Sequence, residues 1–251
     1  MPAVSTWWVC RQACWTVSTT SPGGECGDEV PQRLDPGFAP PFESEVRLIA
    51  SPLVEDGWVP DLPRRLELVP PSHTTRGLFV RSFQSAVLAL GEGDADVLER
   101  CRQVWAQHDT YVDSFQYPSR LQLEVLSVAL EPLAARHGGP AQVLRLLGRR
   151  CVRDFLASHI GRALLVAAGS DAKRLLNHAP EAYRIAVNGG VHSLRWLGPN
   201  RCVWTMHRDF MPMPFQEGVI LGLFEEARIL GVTVCGRQLD TLEGEYDISW
   251  R

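Results

Sequence analysis

Apolar residues recur at helical spacing through the middle of the chain, from about residue 74 to about residue 187. Asp94 is suited to cap a helix. The apolar face of that helix consists of Val97, Cys101, Val104 and Trp105. Pro118 suits the first turn of the next helix, which should end at the His-Gly-Gly sequence of 137–139. Pro140 opens a third helix, and a short one is predicted over 171–177, ahead of Pro180.

After Asn188 the apolar period changes to two, which is typical of strands. Strands are predicted over 191–196 and 202–208, and again over 232–238 and 245–250. A helix lies between the two pairs. The pattern therefore predicts an α+β domain, with a helical N-terminal half followed by β-β-α-β-β. Its four-stranded antiparallel sheet should be covered by helices.

The helix between the strand pairs is predicted over 214–230. Its apolar stripe is wide enough to cover a sheet. The stripe consists of Phe215, Val219, Ile220, Leu223, Phe224, Ala227 and Leu230. Gly218 and Gly222, four positions apart, should let the helix approach a neighbour closely, and Gly231 should end it.

Proline and acidic residues are concentrated in residues 1–73, which hold 11 of the 18 prolines. Prolines exclude a long helix there, so we expect a mostly irregular, acidic segment with short extended pieces at 46–50 and 66–69. Residues 74–251 should form a single α+β domain. The net charge of -4 gives no support to nucleic-acid binding. No apolar run approaches the roughly 18 residues of a membrane span.

The cysteines indicate a reducing compartment. Their number, seven, is odd, and no secretory signal precedes them, so we expect a cytoplasmic protein. Cys10, Cys14 and Cys26 lack a fourth ligand at the usual spacing, so no metal site is predicted.

Five motifs of residues 75–251 resemble an uncharacterised family of myxobacterial paralogues, classed as a domain of unknown function. They are GLFVRSF at 77–83, LGRRCVRDFLASHIGRALL at 147–165, KRLLNHAPEAYR at 173–184, FQEGVILGLFEEARILGV at 215–232 and YDISW at 246–250. The resemblance implies a fold. It brings no activity with it.

The β-β-α-β-β order is distantly similar to the ligand-binding superfamily of haem nitric-oxide sensors, vinyl-reductase-type domains and transport-complex subunits. That similarity implies a pocket enclosed by helices and the sheet. The sensors hold haem carboxylates with Tyr-x-Ser-x-Arg and iron with an upstream His. In this chain Tyr117-Pro118-Ser119-Arg120 is one residue too short, and His108 lies only nine positions before Tyr117. We therefore expect no cofactor, with haem disfavoured.

Catalysis is not expected either. Cys151, Asp154 and His159 could suggest a nucleophile with an acid and a base. Eight positions of helix, however, separate Cys151 from His159 by about 12 Å. An enzyme that uses these residues is the least favoured alternative.

Aromatic and methionine side chains near the predicted sheet are the candidate ligand-binding residues, since such side chains line apolar pockets. They are Trp196, Trp204, Met206, Phe210, Met211, Met213 and Tyr246. For those on the strands, the favoured interpretation is that they form the core itself. The apolar loop at 209–214 should cap a pocket or meet a partner.

A stripe of arginines, Arg145, Arg149 and Arg153, is the candidate partner-binding surface. A plain solvated face is the favoured interpretation, because Asp154 can pair with Arg150; the alternative is an anionic surface opposite the stripe, since like charges four apart repel each other. The sequence thus favours a non-enzymatic, cytoplasmic sensor or adaptor that binds a small apolar ligand or a protein. A structural or regulatory interaction module that forms a homodimer is the alternative.

Overall fold

The structure is a computed structural model that describes residues 61–106 and 110–251. The expectations for 46–50, for His108 and for Cys10, Cys14 and Cys26 lie outside these residues. The helices are α1 (Leu62–Leu68), α2 (Gly77–Leu90), α3 (Ala95–Trp105), α4 (Arg120–Arg136), α5 (Pro140–Ala157), α6 (His159–Ala168), α7 (Ala172–Ala186) and α8 (Met213–Glu226). The strands are β1 (Thr74–Arg76), β2 (Gln116–Pro118), β3 (Val187–Asn188), β4 (Val191–Gly198), β5 (Arg201–His207), β6 (Thr233–Asp240) and β7 (Glu243–Ser249).

The four longest strands form an antiparallel sheet in the order β4-β5-β7-β6. Helices precede this sheet and cover one of its faces, which confirms the predicted α+β class. Side chains alternate across the strands, as the period of two requires. On the covered face Trp204 of β5 lies opposite Tyr246 of β7, and both side chains are buried.

α8 lies between the sheet and α5 and is buried on more than one side. Its apolar residues Ile220, Leu223 and Phe224 are buried, as the stripe predicts. Gln216 and Glu217 are buried as well, which an amphipathic surface helix would not allow. The reason is the second neighbour: α5 covers the face that the sheet leaves free.

Glycines set the close contact between α5 and α8. A Cβ atom added to Gly218 would lie 2.1 Å from the carbonyl oxygen of Arg145, so only hydrogen fits there. One added to Gly148 of α5 would lie 2.1 Å from the carbonyl oxygen of Phe215. The prediction that the α8 glycines permit close packing is confirmed.

Several local predictions were wrong. α1 takes the place of the extended piece expected over 66–69. α7 continues through Pro180 to Ala186, although an interior proline costs about 3 kcal/mol. Buried residues on both sides of this proline, Leu176 and Ala179 before it and Ala186 after it, hold the helix against the core. Pro118 belongs to β2, just before α4, and β2, β1 and β3 form a small sheet that the sequence pattern did not indicate.

α1 is attached to the rest of the fold through Arg65, whose side chain is 2% exposed. Its Nη1 donates to the backbone oxygens of Asp209 and Met211, both at 3.1 Å. Leu62–Leu68, within the segment expected to be irregular, therefore forms a helix that is packed against the domain. No helix in the described residues is long and apolar enough to cross a bilayer.

Candidate functional site

A cavity of about 100 Å³ lies between the covered face of the sheet and the helices. Its floor includes Trp204 of β5, and the loop after β5 contributes Met211. The helical walls come mainly from α5, α7 and α8. Their apolar lining residues are Cys151, Val152, Phe155, Ala179, Ala182, Ala186, Phe215, Val219 and Leu223.

The alanines of α7 make the cavity possible. Ala179, Ala182 and Ala186 recur three and four positions apart, so they share one face of the helix. All three line the cavity. Because an alanine side chain ends at Cβ, this face leaves open the space that larger residues would fill.

Tyr183 connects the wall to a buried carboxylate. Its hydroxyl donates to Oδ1 of Asp209 at 3.2 Å and accepts from Nε2 of Gln216 at 3.2 Å. The backbone N–H of Met211 also donates to Oδ1 of Asp209. Burial raises the pKa of Asp209 to about 6, and burial followed by the charge of Asp209 raises the pKa of Tyr183 well above its ordinary value. The tyrosine therefore keeps its proton at neutral pH.

Besides the two ring nitrogens of His192, three polar atoms of this region are buried without a hydrogen-bond partner among the described residues. They are Oε1 of Gln216, Nε1 of Trp204 and Oδ2 of Asp209. Gln216 and Trp204 line the cavity. Burying such an atom unpaired costs about 1–3 kcal/mol, so the atoms of Gln216 and Trp204 are candidate contacts for a group bound in the cavity.

His192 covers the outer side of Tyr183, with 4.0 Å between the ring centroids. Burial, and then the charge of His207, lowers the pKa of His192 to about 4. The ring is therefore neutral at pH 7, so it adds no positive charge beside the wall.

A second polar group borders the cavity where β1 meets α4. The Thr75 hydroxyl donates to Oε1 of Gln122 at 3.3 Å and also bonds the Ser119 hydroxyl at 2.7 Å. Ser119 in turn bonds Nδ1 of His73 at 2.8 Å. Thr75 and Gln122 line the cavity. Burial, and then the charge of Arg208, lowers the pKa of His73 to about 4, so this group is also uncharged at pH 7.

Of the seven predicted ligand-binding residues, the structure brings Trp204 and Met211 to the cavity. Met206 and Phe210 are buried in the core. Met213 and Tyr246 border a separate pocket of about 10 Å³, which has room for about one water. Trp196 is half-buried, with the Lys173 ammonium 5.0 Å from its ring centroid. The ligand roles of all seven remain predictions.

The loop at 209–214 caps the cavity through Met211 and contacts α1 through the bonds from Arg65. Both contacts lie within the chain. The sequence had left open whether this loop caps a pocket or meets a partner.

The predicted partner-binding arginines lie opposite glutamates of α8. Arg145 pairs with Glu217 at 2.8 Å, and Arg153 pairs with Glu226 at 3.0 Å. Nη2 of Arg149 lies 3.0 Å from Glu225, close enough for an ion pair but without hydrogen-bond alignment. The anionic surface opposite the stripe thus belongs to the same chain. Binding of a separate partner by these arginines remains a prediction.

The residues of the enzyme alternative occupy different environments. Cys151 is buried in the cavity wall, and burial raises the pKa of its thiol far above the ordinary value, so it is protonated. His159 is exposed at the first position of α6, with Nδ1 3.2 Å from Nη2 of Arg162. The expectation that the chain is not an enzyme remains untested.

Sequence reasoning missed Gln122, Tyr183 and Gln216, the residues that carry the polar groups of the wall. A partial signal was available. Gln216 and Glu217 interrupt an apolar helix, and three alanines recur on one face of α7.

Comparison with known proteins identifies the family. The sequence model of a family described as "Protein of unknown function (DUF2378)" matches residues 68–251. The chain belongs to this family. The match confirms the resemblance noted over 75–251 and places Leu68, the last residue of α1, inside the DUF2378 region. No curated protein matches the DUF2378 chain.

Solved structures of H-NOX proteins share the fold of the DUF2378 chain. One is an oxygen-binding H-NOX domain related to soluble guanylate cyclases, in its oxygen complex (13% identity, TM-score 0.53). Another is an H-NOX protein from S. oneidensis in the Fe(II)NO state (14%, TM-score 0.50). The first match covers 70% of this chain and 95% of the other, and the second covers 70% and 99%. A third structure comes from work on modulating heme redox potential through protein-induced porphyrin distortion. It has 11% identity and a TM-score of 0.52, and the match covers 70% of this chain and 99% of the other.

The expectation that haem is disfavoured was wrong, because the solved structures of similar fold include haem proteins. The structure explains the error. Tyr117 lies in β2, Ser119 bonds His73, and Arg120 pairs with Glu124. None of the three lines the cavity. The motif was therefore sought among residues that do not themselves line the cavity, although Ser119 bonds Thr75 in its wall.

Proposed function

We propose that residues 61–251 form a sensor-type domain that binds a small apolar ligand in the cavity between the sheet and the helices. The cavity itself is the observation that carries the proposal. Its wall is apolar apart from a few uncharged polar groups, a composition typical of ligand pockets. The similarity to H-NOX structures supports the proposal at the level of the fold.

The cavity volume sets the size of the ligand. An engineered apolar cavity of about 150 Å³ in another protein stays dry and binds benzene. At about 100 Å³, this cavity suits a ligand of similar or slightly smaller size, or the end of a longer chain. Affinity would come mainly from burial of apolar surface, about 25 cal/mol per Å² before the costs of association.

The test combines ligand detection with a variant that fills the cavity. Native mass spectrometry of the full chain, alone and after incubation with host extract, should detect a retained small molecule. Ala182→Phe fills the α7 face of the cavity and should abolish retention. Ala135→Phe, on an exposed position of α4, is the matched control and should retain the molecule. A molecule retained equally by both variants, or none retained by the wild type, would refute binding in this cavity.

Haem is the second candidate ligand, because it occurs in structures of similar fold. Haem iron is held in other proteins by Cys, Met or Tyr as well as His, and the wall offers Cys151, Met211 and Tyr183. Bound haem would supply an iron that takes a diatomic gas. Pockets for larger ligands start at about 300 Å³, so the helices would have to separate to admit it. An absorbance titration with haemin that saturates at one equivalent would support haem, whereas an unsaturable increase would exclude it.

A reducing, cytoplasmic setting forms part of the proposal. Three cysteines in the described part of the chain, Cys101, Cys151 and Cys202, are free thiols, as a reducing compartment would keep them. Immunoblotting of cell fractions would locate the protein: recovery with the cytosolic markers is expected, and recovery with exported proteins would refute this part.

The dimerising module remains the alternative from another class. α6 exposes two large apolar side chains, Ile160 and Val166, and Val166 is 82% exposed. A monomeric sedimentation profile at micromolar concentration would remove the homodimer version.

A further inference from the structure

We infer that the ligand of the cavity is uncharged and carries a hydrogen-bond donor that is recognised by Oε1 of Gln216. This inference rests on the proposed binding function and specifies the chemical class of its ligand. A hydroxyl on a small apolar body, as in a phenol or a short alcohol, fits this description.

The hydrogen bonds of Gln216 determine which end of its amide is available. The Tyr183 hydroxyl gives its proton to Oδ1 of Asp209, which can only accept when it is ionised. That hydroxyl must therefore accept a hydrogen bond from Gln216, which identifies the bonded atom of the amide as Nε2. The other end, Oε1, is an acceptor without a partner, on a side chain that is 1% exposed.

The amide nitrogen of Gln216 has a hydrogen-bond partner in this structure, but its oxygen has none. A leucine of similar size would fill the same place in an apolar helix without burying an unpaired oxygen. The Tyr183 hydroxyl would still donate to Asp209. The hydrogen bond that Nε2 donates to Tyr183 accounts for one end of the amide, and a bound donor group would give the oxygen at the other end a partner.

Charge excludes an ionised ligand. None of the lining residues is Asp, Glu, Lys, Arg or His. The nearest ionisable group of the network, Asp209, bears a negative charge when ionised and would repel a carboxylate. An anion placed in such a wall would lose its hydration without gaining a counter-charge, and a cation would find none among the lining residues, because Asp209 does not line the cavity.

The indole N–H of Trp204 favours a ligand whose polar group is a hydroxyl over a ligand whose polar group can only donate a hydrogen bond. Its Nε1 is a buried donor without a partner, and its ring lines the same cavity. A hydroxyl can donate to an acceptor such as Gln216 and also accept from a donor such as Trp204.

Phenol and toluene provide a matched test, since they differ by a hydroxyl in place of a methyl group. Dissociation constants for both, and for benzoate, should be measured by ligand-observed NMR on the full chain. The variants are wild type, Gln216→Leu and Gln103→Leu, the last an exposed glutamine of α3. One neutral hydrogen bond changes an affinity by roughly three- to tenfold. We expect Gln216→Leu to lower the ratio of phenol to toluene affinity by that factor, whereas Gln103→Leu leaves it unchanged. Benzoate should not bind.

The outcomes separate the two proposals. If toluene and phenol bind the wild type but Gln216→Leu leaves their ratio unchanged, the cavity binds ligands and this inference is wrong. Tight binding of benzoate would also overturn it. If neither neutral compound binds in the wild type, the proposed function fails for ligands of this size. Should Gln216→Leu not fold, Trp204→Phe should reduce the same ratio, because it removes the indole N–H, whereas the space left by the smaller ring is open to phenol and toluene alike.

Discussion

Gly218→Ala should destabilise the fold, although alanine is the better helix former. The new Cβ would lie 2.1 Å from the Arg145 carbonyl oxygen, whereas ordinary contacts begin at 3.4 Å. The other nearest atoms are Cα and the carbonyl carbon of Arg145, so no side chain can rotate away. α8 must therefore move by about 1.3 Å relative to α5 at this point. Overpacking costs up to about 3 kcal/mol, and the helix propensity of alanine returns about 1 kcal/mol.

The expected net loss is about 2 kcal/mol in the free energy of unfolding, or roughly 4–8 °C in Tm for a chain of this size. Urea unfolding monitored by tryptophan fluorescence and a thermal scan would measure it. Gly198→Ala is the control, because a Cβ added there meets nothing within 4 Å. A Gly218→Ala variant as stable as the wild type would show that α5 and α8 are not in backbone contact, and the reasoning would fail.

Three further predictions concern charged and titrating groups. Glu217→Ala leaves Arg145 without its partner and the Gly236 N–H without its acceptor, so it should lower the free energy of unfolding in urea by about 3 kcal/mol. Glu226→Ala breaks an exposed pair and should lower it by less than about 1 kcal/mol. Equal losses in the two variants would refute the distinction between the pairs. His192 has a folded-state pKa of about 4, below the ordinary 6.5, so its contribution to stability is lost as the pH falls from 6.5 to 4. Over this range the free energy of unfolding should decline less steeply in His192→Gln than in the wild type. An identical pH profile in the two proteins would contradict this. For Asp209 the effect of pH on stability has the opposite sign, because burial raises its pKa to about 6. Its ionisation therefore lowers the free energy of unfolding by about 3 kcal/mol at pH 7 and has almost no effect below pH 4. The stability of Asp209→Asn relative to the wild type should therefore increase as the pH rises from 4 to 7. A difference in stability that does not change with pH would disprove the raised pKa.

The C-terminal part of the fold was predictable because each of its elements has a strong local signal. Alternating apolar residues mark the four long strands, and turn residues separate them. Asp94, which accepts from the backbone N–H of Val97, marks the start of α3 in the same way. In each case the determinant lies within a few residues of the structure that it specifies.

The small sheet and α1 were not predictable for the opposite reason. β1, β2 and β3 contain two or three residues each, which is too short for a period. α1 depends on the bonds of Arg65 to a loop 144 residues away. Pro180 was interpreted as the end of a helix, because the tertiary contacts that hold α7 together are invisible in sequence.

The candidate site was predictable only in part, because its wall is assembled from separate elements. Trp204 and Met211 were identified by side-chain type. Gln216 and Tyr183 were not, since an isolated glutamine in a helix and a tyrosine near a helix end have many roles. Their significance comes from the bond between them across 33 residues.

α8 connects the stability of the fold with the proposed binding function. Consecutive residues point to different neighbours: Gln216 lies in the cavity wall, Glu217 binds Arg145 and the Gly236 N–H, and Gly218 contacts the α5 backbone. A substitution that displaces the whole helix should therefore change binding as well as stability. Gly218→Ala should weaken phenol and toluene equally, since it moves the wall without altering the amide. Gln216→Leu should change only their ratio, so the two variants separate the shape of the cavity from its chemistry.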